Sequence, residues 1–495
     1  MKAKRFTTAV LAFAMSAAVA QPIRLHPDNP RYFHFGGTSE VLITSGEHYG
    51  SVLNPDFDFM KYLETLAADG LNGTRLFSGA YFEPQGAFGI EKNSLAPVRG
   101  RALIPWARTM VPGNLGGGNK FDLTRWDGDY FARLRKFVGE ALLRGIVVEL
   151  TLFSSIYTDV NWEINPLNPS NNVNGIEVAD RLRIHTLGNA GLLGIQEAFV
   201  RKTVRELNGF DNVLYEIQNE PWSDLTDSAA VNNLYLFPFE LKDAGQFWKN
   251  RVDLAKKESL DWQSKVASWI VNEESNLPGR HLIAQNYCNF RYPVEDVDPN
   301  VSIMNFHYAW PEAVGLNYGW NRPIAFDETG FAGSADAVYR RQAWRFLLSG
   351  GAAFSGLDYS FTVGREDGTD ANRAPGGGSP ALRKQLGVLK KFMEGLDFVR
   401  MKPDASFVLK APGLFVRGLS DQGRCYALFM EGRKPAAITF GLPPGSYNAE
   451  WIDPESGRIV RRENWEQNQP SKAVSCPDFN NEIALRIVRS SPVNH

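Results

Sequence analysis

The chain has 495 residues, enough for two or more domains and an ample core. Its formal net charge is −2 and 43 % of its residues are hydrophobic. These values exclude a disordered chain, and they argue against a basic surface for nucleic acid or membrane.

The N-terminus reads as a secretory signal, residues 1–20. Lys2, Lys4 and Arg5 form a basic start, and a short run of small and apolar residues ends in Ala18-Val19-Ala20. The run is too short for a membrane span, and no later stretch reaches ~18 uninterrupted apolar residues. The mature chain is therefore expected to be soluble, in the periplasm or outside the cell. Of the three cysteines, Cys425 and Cys476 fall in one region and can bridge in an oxidising compartment. The alternative is three buried thiols.

From about residue 36 to 398, short apolar runs alternate with helix-period segments. The runs are Val41 to Thr44, Leu71 to Phe77, Ile146 to Phe153, Val213 to Glu220, Leu282 to Asn286, Val301 to His307, Pro323 to Glu328 and Ala352 to Leu357. Helices are expected after Pro55-Asp56, from about Asp129, over about Ile195 to Leu207, and over Ala381 to Leu396. Near-continuous apolar runs imply burial on both faces, hence a parallel sheet. Eight of them in a region of this size predict a (β/α)8 TIM barrel spanning residues 21–400, with an open doubly wound α/β sheet as the alternative. The connections Ser78 to Thr124, Ser154 to Leu193 and Trp222 to Gln246 are long. They leave the carboxyl ends of strands, so they are expected to wall a site. After Pro403 the pattern alternates with period two between Gly, Pro and Asp. That predicts a small antiparallel β-sandwich over residues 401–495.

Two runs stop abruptly at a carboxylate followed by turn residues: Glu220 in Asn219-Glu220-Pro221, and Glu328 in Asp327-Glu328-Thr329-Gly330. Strand ends are where a (β/α)8 barrel carries catalytic groups. Two carboxyls on separate strand ends are what glycosidic-bond cleavage needs, one to give a proton and one to act as nucleophile or base. Taken singly, each motif is also an ordinary turn. Arg75 and His307 end other runs, and their presence favours the catalytic reading. The alternatives for them are a structural ion pair within the barrel and a satisfied core histidine. The seven His include no His-x-His or His-Glu-x-x-His, so a metal-dependent hydrolase lacks ligands.

This pattern resembles the (β/α)8 glycoside hydrolases of clan A, which include cellulases and mannanases of the family 5 type. The resemblance covers roughly Gly36 to Leu396. It implies retaining hydrolysis of a β-type O-glycosidic bond, in a glucoside, mannoside, galactoside or related glycan. The partner would be an oligo- or polysaccharide, with no cofactor and no metal. The resemblance makes Glu220, on the fourth run, the acid/base and Glu328, on the seventh, the nucleophile. It implies that Asn219 bonds the sugar 2-hydroxyl, that Arg75 lies close to the nucleophile, and that His307 and Tyr308 orient the acid or the nucleophile. Asp358-Tyr359 ends the eighth run where many clan members have Trp. The rival class is a secreted carbohydrate-binding protein on an inactive barrel, whose expected mark is the loss of a glutamate.

Further candidates are expected around the mouth. Glu47 and His48 follow the first run. Trp162 lies in the long third loop with Asn165, Asn168, Asn171 and Asn172, which suit either sugar hydroxyls or turns. Trp222 and Trp310 either stack on a sugar or fill the core.

Overall fold

The computed structural model describes residues 21–178, 180–231, 250–371, 374 and 376–490. The N-terminal signal and part of the connection after the fourth run lie outside the described residues. Among those described, eight parallel strands follow the eight apolar runs. They are β1 (Leu42–Gly46), β2 (Gly73–Phe77), β3 (Val147–Ser154), β4 (Val213–Asn219), β5 (Ile283–Asn289), β6 (Ile303–His307), β7 (Ile324–Glu328) and β8 (Ala353–Leu357). Their hydrogen-bonded order runs β1-β8-β7-β6-β5-β4-β3-β2. The open seam between β1 and β2 is bridged by a side chain. Asn72 Oδ1 accepts from the Ile43 amide at 2.9 Å, and Asn72 Nδ2 donates to the Val41 carbonyl at 2.9 Å. One amide thus stands in for a ladder and nearly closes a (β/α)8 barrel.

Burial on both faces explains the apolar runs. Every residue of β2, β4, β5, β6 and β7 is buried. The surrounding helices bury one stripe each. Helix Phe59–Ala68 buries Phe59, Tyr62, Leu63 and Leu66, and the Asp58 side chain caps it by accepting from the amides of Met60 and Lys61. Each buried side chain of Leu or Phe size contributes about 1.5–3 kcal/mol relative to exposure. The ring departs from the ideal between β5 and β6, where no helix is found among the described residues. No described helix is long and apolar enough to cross a membrane.

Three features were not legible in the sequence. A three-stranded sheet (Arg24–Leu25, Phe33–Phe35, Thr38–Glu40) precedes the barrel. A hairpin of Trp106–Pro112 and Asn119–Trp126 grows from the β2 loop, and another of Thr226–Ala230 and Arg251–Ala255 from the β4 loop.

The C-terminal sheets have six and three strands and enclose their own apolar cluster. Strands Ile459–Gln467 and Lys472–Ser475 were not foreseen; the first carries four charged side chains on nine residues and reads as loop. The outer face of the six-stranded sheet packs on the barrel. Leu419, Ala427, Phe429 and Ala484 belong to the barrel's own core cluster. Trp344 of helix Asp336–Leu347 stacks on Phe429 with centroids 5.5 Å apart. Around this contact Arg340 Nε donates to Glu482 at 2.7 Å and Arg345 Nε to Glu431 at 2.6 Å. All three cysteines are free thiols. The bridge between Cys425 and Cys476 is not made, because Cys425 packs toward the barrel core while Cys476 lies inside the sandwich.

Candidate active site

A cavity of about 690 Å³ opens at the carboxyl ends of the strands, within the ~300–1,000 Å³ usual for small-ligand sites. All eight strand ends or the loops that follow them contribute lining residues. Glu220 and Glu328 both line it. A carboxylate oxygen of one lies within 4.8 Å of a carboxylate oxygen of the other.

Glu328 ends β7. Its Oε2 accepts from Arg75 Nη1 at 2.8 Å and Tyr49 OH at 3.1 Å, and its Oε1 from Tyr308 OH at 3.1 Å. One donor is cationic, so the carboxyl sits in a setting built for negative charge. Glu220 follows β4. Its Oε1 lies 2.9 Å from His307 Nδ1, and its Oε2 accepts from Tyr157 OH at 2.9 Å. Asn219 joins the two sides. Its Oδ1 accepts from Arg75 Nη2 at 2.7 Å and its Nδ2 donates to Tyr157 OH at 2.6 Å.

Arg75 is fully enclosed. Its fork holds Glu216 through Nε at 2.7 Å and Nη2 at 2.5 Å, and its guanidinium lies 4.8 Å over the Tyr49 ring. Burial would lower its pKa, but the fields of Glu216, Tyr49 and Asp327 outweigh that and raise it, so the charge is secure. Arg75 is therefore both readings at once: a structural ion pair to Glu216 and a donor to Glu328. Glu216 also accepts from Thr151 and Asn286. For His307, burial works against protonation, but Asp327, Glu328 and the bonds to Asp327 and Glu220 raise its pKa well above the ordinary value. Below these groups, burial with help from Glu216 and Asp327 pushes the Glu149 carboxyl up to about 8. Asn305 Nδ2 donates to it at 2.8 Å.

The backbone at this rim is strained. Among the described residues Tyr49, Glu220, Phe290, Tyr308 and Phe331 follow five different strands with φ of 62°, 46°, 60°, 48° and 54°. That left-handed region costs a non-glycine residue about 1–3 kcal/mol and is held only by the surroundings. For Glu220 the surroundings are explicit. Ser155 Oγ donates to the Glu220 carbonyl at 2.6 Å, and the turn Pro221–Ser223 leads into buried Asp224. Asp224 accepts from the Ile156 amide at 2.8 Å and from Gln218 Nε2 at 3.1 Å, with His185 Nδ1 at 3.1 Å.

Of the residues expected at the site, Arg75, Asn219, Glu220, His307, Tyr308 and Glu328 converge here. Trp222 and His48 line the cavity. Trp222 stands edge-on to His307, with centroids 5.3 Å apart. Three of the expected residues lie outside the cavity lining. Glu47 is sealed off at 1 % exposure, accepting from the Gly50 amide at 2.9 Å and from Ser51 and Ser94, so it pins two loops together. Trp310 is buried and stacks on Phe290 at 4.9 Å, away from the cavity. Trp162 rides half-buried on the short helix Asp159–Ile164, outside the lining. The asparagines of that loop serve turns: Asn171 Nδ2 donates to the carbonyls of Glu163 and Asn165, and Asn172 Nδ2 to those of Pro166 and Asn168. Asp358 is tied to Arg383 at 2.7 Å. Tyr157, Glu83, Tyr81 and Phe88 line the cavity from long loops, and sequence reasoning missed them.

Two triads, Glu216–His307–Asp327 and Glu220–His307–Glu328, bring their ligand atoms within 4.8 Å of one another. Arg75 already compensates the first and reaches into the second, and His307 is pushed toward its cationic form. This donor set suits protons better than a metal ion.

No protein-family model matches the sequence, and no curated protein matches it. Solved structures do match, over nearly the whole chain. One is a protein described as a glycoside hydrolase from Bacteroides vulgatus ATCC 8482, 14 % identical with a TM-score of 0.65, covering 95 % of this chain and 83 % of that one. A glycoside hydrolase family 5 structure from the same organism is 10 % identical with a TM-score of 0.60, covering 94 % of each chain. At these identities the likeness shows the fold: a (β/α)8 barrel followed by a C-terminal β-sheet domain.

Proposed function

We propose that this protein is a retaining glycoside hydrolase that cleaves β-type O-glycosidic bonds of an oligo- or polysaccharide by double displacement. The observation that carries this reading is the pair Glu220 and Glu328, with carboxylate oxygens within 4.8 Å in two different settings. Retaining enzymes hold their carboxyls ~5–5.5 Å apart, whereas inverting ones need ~6.5–9.5 Å to admit a water. The similarity to glycoside hydrolase structures supports the same reading.

In the first step Glu328 Oε attacks the anomeric carbon as Glu220 gives its proton to the departing glycosidic oxygen. A glycosyl ester on Glu328 results. In the second step Glu220, now a carboxylate, takes a proton from water. The water oxygen attacks the anomeric carbon and the Glu328 carboxylate leaves. Arg75, Tyr49 and Tyr308 hold the nucleophile; His307 and Tyr157 hold the acid. Asn219 is the group assigned to the 2-hydroxyl. The N-terminal sequence supports action in the periplasm or outside the cell after removal of residues 1–20, which N-terminal sequencing of the exported protein checks.

The deciding experiment is NMR of the first-formed sugar from an aryl β-glycoside or a polysaccharide found by screening. Retention of the β-configuration is expected. An α-product would replace double displacement with a single inverting step.

A further inference from the structure

We propose that Glu83 is the group that grips the hydroxyl edge of the sugar ring attacked at its anomeric carbon, with His48 as its positioning residue. This rests on the hydrolase reading above and adds to it the element that selects the sugar.

A row of contacts runs along one wall of the cavity. Tyr49 OH lies 3.1 Å from Glu328, and the His48 ring stacks on Tyr49 with centroids 5.6 Å apart and an interplanar angle of 18°. His48 Nε2 then lies 3.3 Å from Glu83 Oε1. All four residues line the same cavity. A pyranose with its anomeric carbon at Glu328 and its ring along this wall brings its distal hydroxyls to Glu83.

Glu83 is held as a binding group would be. It is 3 % exposed. Asn93 Nδ2 donates to its Oε2 at 2.5 Å, and Tyr81 OH reaches its Oε1 at 3.4 Å. A carboxyl group has about four lone-pair positions, and His48, Tyr81 and Asn93 occupy three, so one remains for a ligand hydroxyl. For His48, burial opposes protonation, but Glu83, Glu328 and Glu47 outweigh it and raise its pKa. Its Nδ1 is buried without a hydrogen-bond partner among the described residues.

Neither stability nor the bond-breaking chemistry explains the pair. Enclosing an ion pair carries a desolvation cost that the attraction offsets only in part. The loops it joins are already fastened by the Leu103 amide to the Leu53 carbonyl at 2.9 Å, by Asn54 to the Ser94 carbonyl at 2.9 Å, and by Glu47 to Ser94. Neither residue bonds Glu220 or Glu328. A buried carboxylate beside a neutral polar ligand distinguishes a hydroxyl from a hydrogen strongly, because the acceptor is left unpaired without it.

The test uses the full chain and the p-nitrophenyl β-glycosides of glucose, galactose and mannose. The best substrate is then compared with its 3-, 4- and 6-deoxy analogues, for wild type and Glu83→Gln. Wild type should lose about 100-fold in kcat/KM when one particular hydroxyl is removed, the size expected of a buried acceptor left unpaired. Glu83→Gln should lose a similar factor on the parent sugar and little more on that deoxy analogue. A uniform loss across the parent and every analogue would overturn the proposal, leaving Glu83 a wall support. If Glu83→Gln does not fold, Glu83→Asp, which keeps the charge and withdraws it by one carbon, is read the same way. His48→Gln should weaken the same discrimination without abolishing it. If wild type hydrolyses no glycoside, the hydrolase reading fails, and calorimetry with free glucose, galactose and mannose decides the subsite. Binding lost in Glu83→Gln sustains it; no binding to wild type, or binding unchanged in the variant, ends it.

Discussion

Glu220 and Glu328 carry the same functional group in unlike company, and the proposed roles follow from the company. Glu328 faces a guanidinium and two phenols, so its replacement removes the nucleophile and little of the fold. Glu328→Ala is expected to lose several orders of magnitude in kcat while keeping its circular dichroism; retention of more than about a tenth of the rate would refute the role. Glu220→Gln should slow poor leaving groups far more than activated aryl ones, because an activated group needs little protonation. Azide should restore turnover in that variant as a glycosyl azide, and equal slowing of both substrate classes without rescue would leave Glu220 a binding group only. Glu149 gives a stability test. Its carboxyl keeps its proton up to about 8 in the fold, against 4.5 for the ordinary group. Between these values the native state binds more protons than the unfolded one, so stability falls as pH rises through that window. Glu149→Gln keeps the acceptor for Asn305 and removes the titration. Its melting temperature should vary less from pH 4.5 to 8 and exceed wild type at pH 9; a parallel pH profile would count against it. At this scale Arg75, Glu220, His307 and Glu328 stood out in the sequence, because Arg75 interrupts an apolar run and the other three end one. Tyr157 and Glu83 stayed hidden, since they come from long loops whose path no local periodicity specifies.

At the scale of elements, the eight strands were legible because both faces are buried, which makes each a continuous apolar word in a polar text. The two hairpins on the β2 and β4 loops were not, since their strands are partly solvent-facing and their residues mixed. The left-handed residues at the rim could not be read at all, because Tyr, Glu and Phe give no sign of positive φ. For Glu220, the Asp224 cluster maintains that conformation. Asp224→Ala removes the acceptor for Ile156, Gln218 and His185 together. Its expected effect is a fall in kcat of about 10–100-fold with KM changed only a few-fold, as for a displaced catalytic group. Steady-state kinetics across pH checks it. An unchanged kcat would show that the strand end keeps its turn without Asp224.

For the whole molecule, the outer face of the six-stranded sheet joins the barrel's apolar core while the sandwich keeps its own, which favours a supporting role for the C-terminal sheets. Arg340 and Glu482 are both buried at this junction. Glu482→Ala leaves the guanidinium there with Gln385 at 2.6 Å and a longer contact to Glu455 at 3.9 Å, so the loss should approach, from below, the ~3–5 kcal/mol of a broken buried pair. The melting temperature should drop by on the order of 5 °C in one calorimetric transition. Two separated transitions in wild type would mean that the halves melt independently. The sandwich was legible from its period-two pattern; its attachment was not, because Arg340, Arg345, Glu431 and Glu482 read individually as surface charges.

The same junction constrains how the chain is made. The helix Asp336–Leu347 precedes its cover, whose last strand ends at Arg489, by well over a hundred residues. At ~5–20 residues per second the ribosome needs roughly 7–30 s to supply them. Early in that interval β8 and helix Pro380–Glu394 complete the barrel, and for the rest of it Trp344 and its arginines lie on a side still uncovered. Translation speed over the final stretch, or a holdase that masks that side, then governs the yield of native protein independently of its final stability.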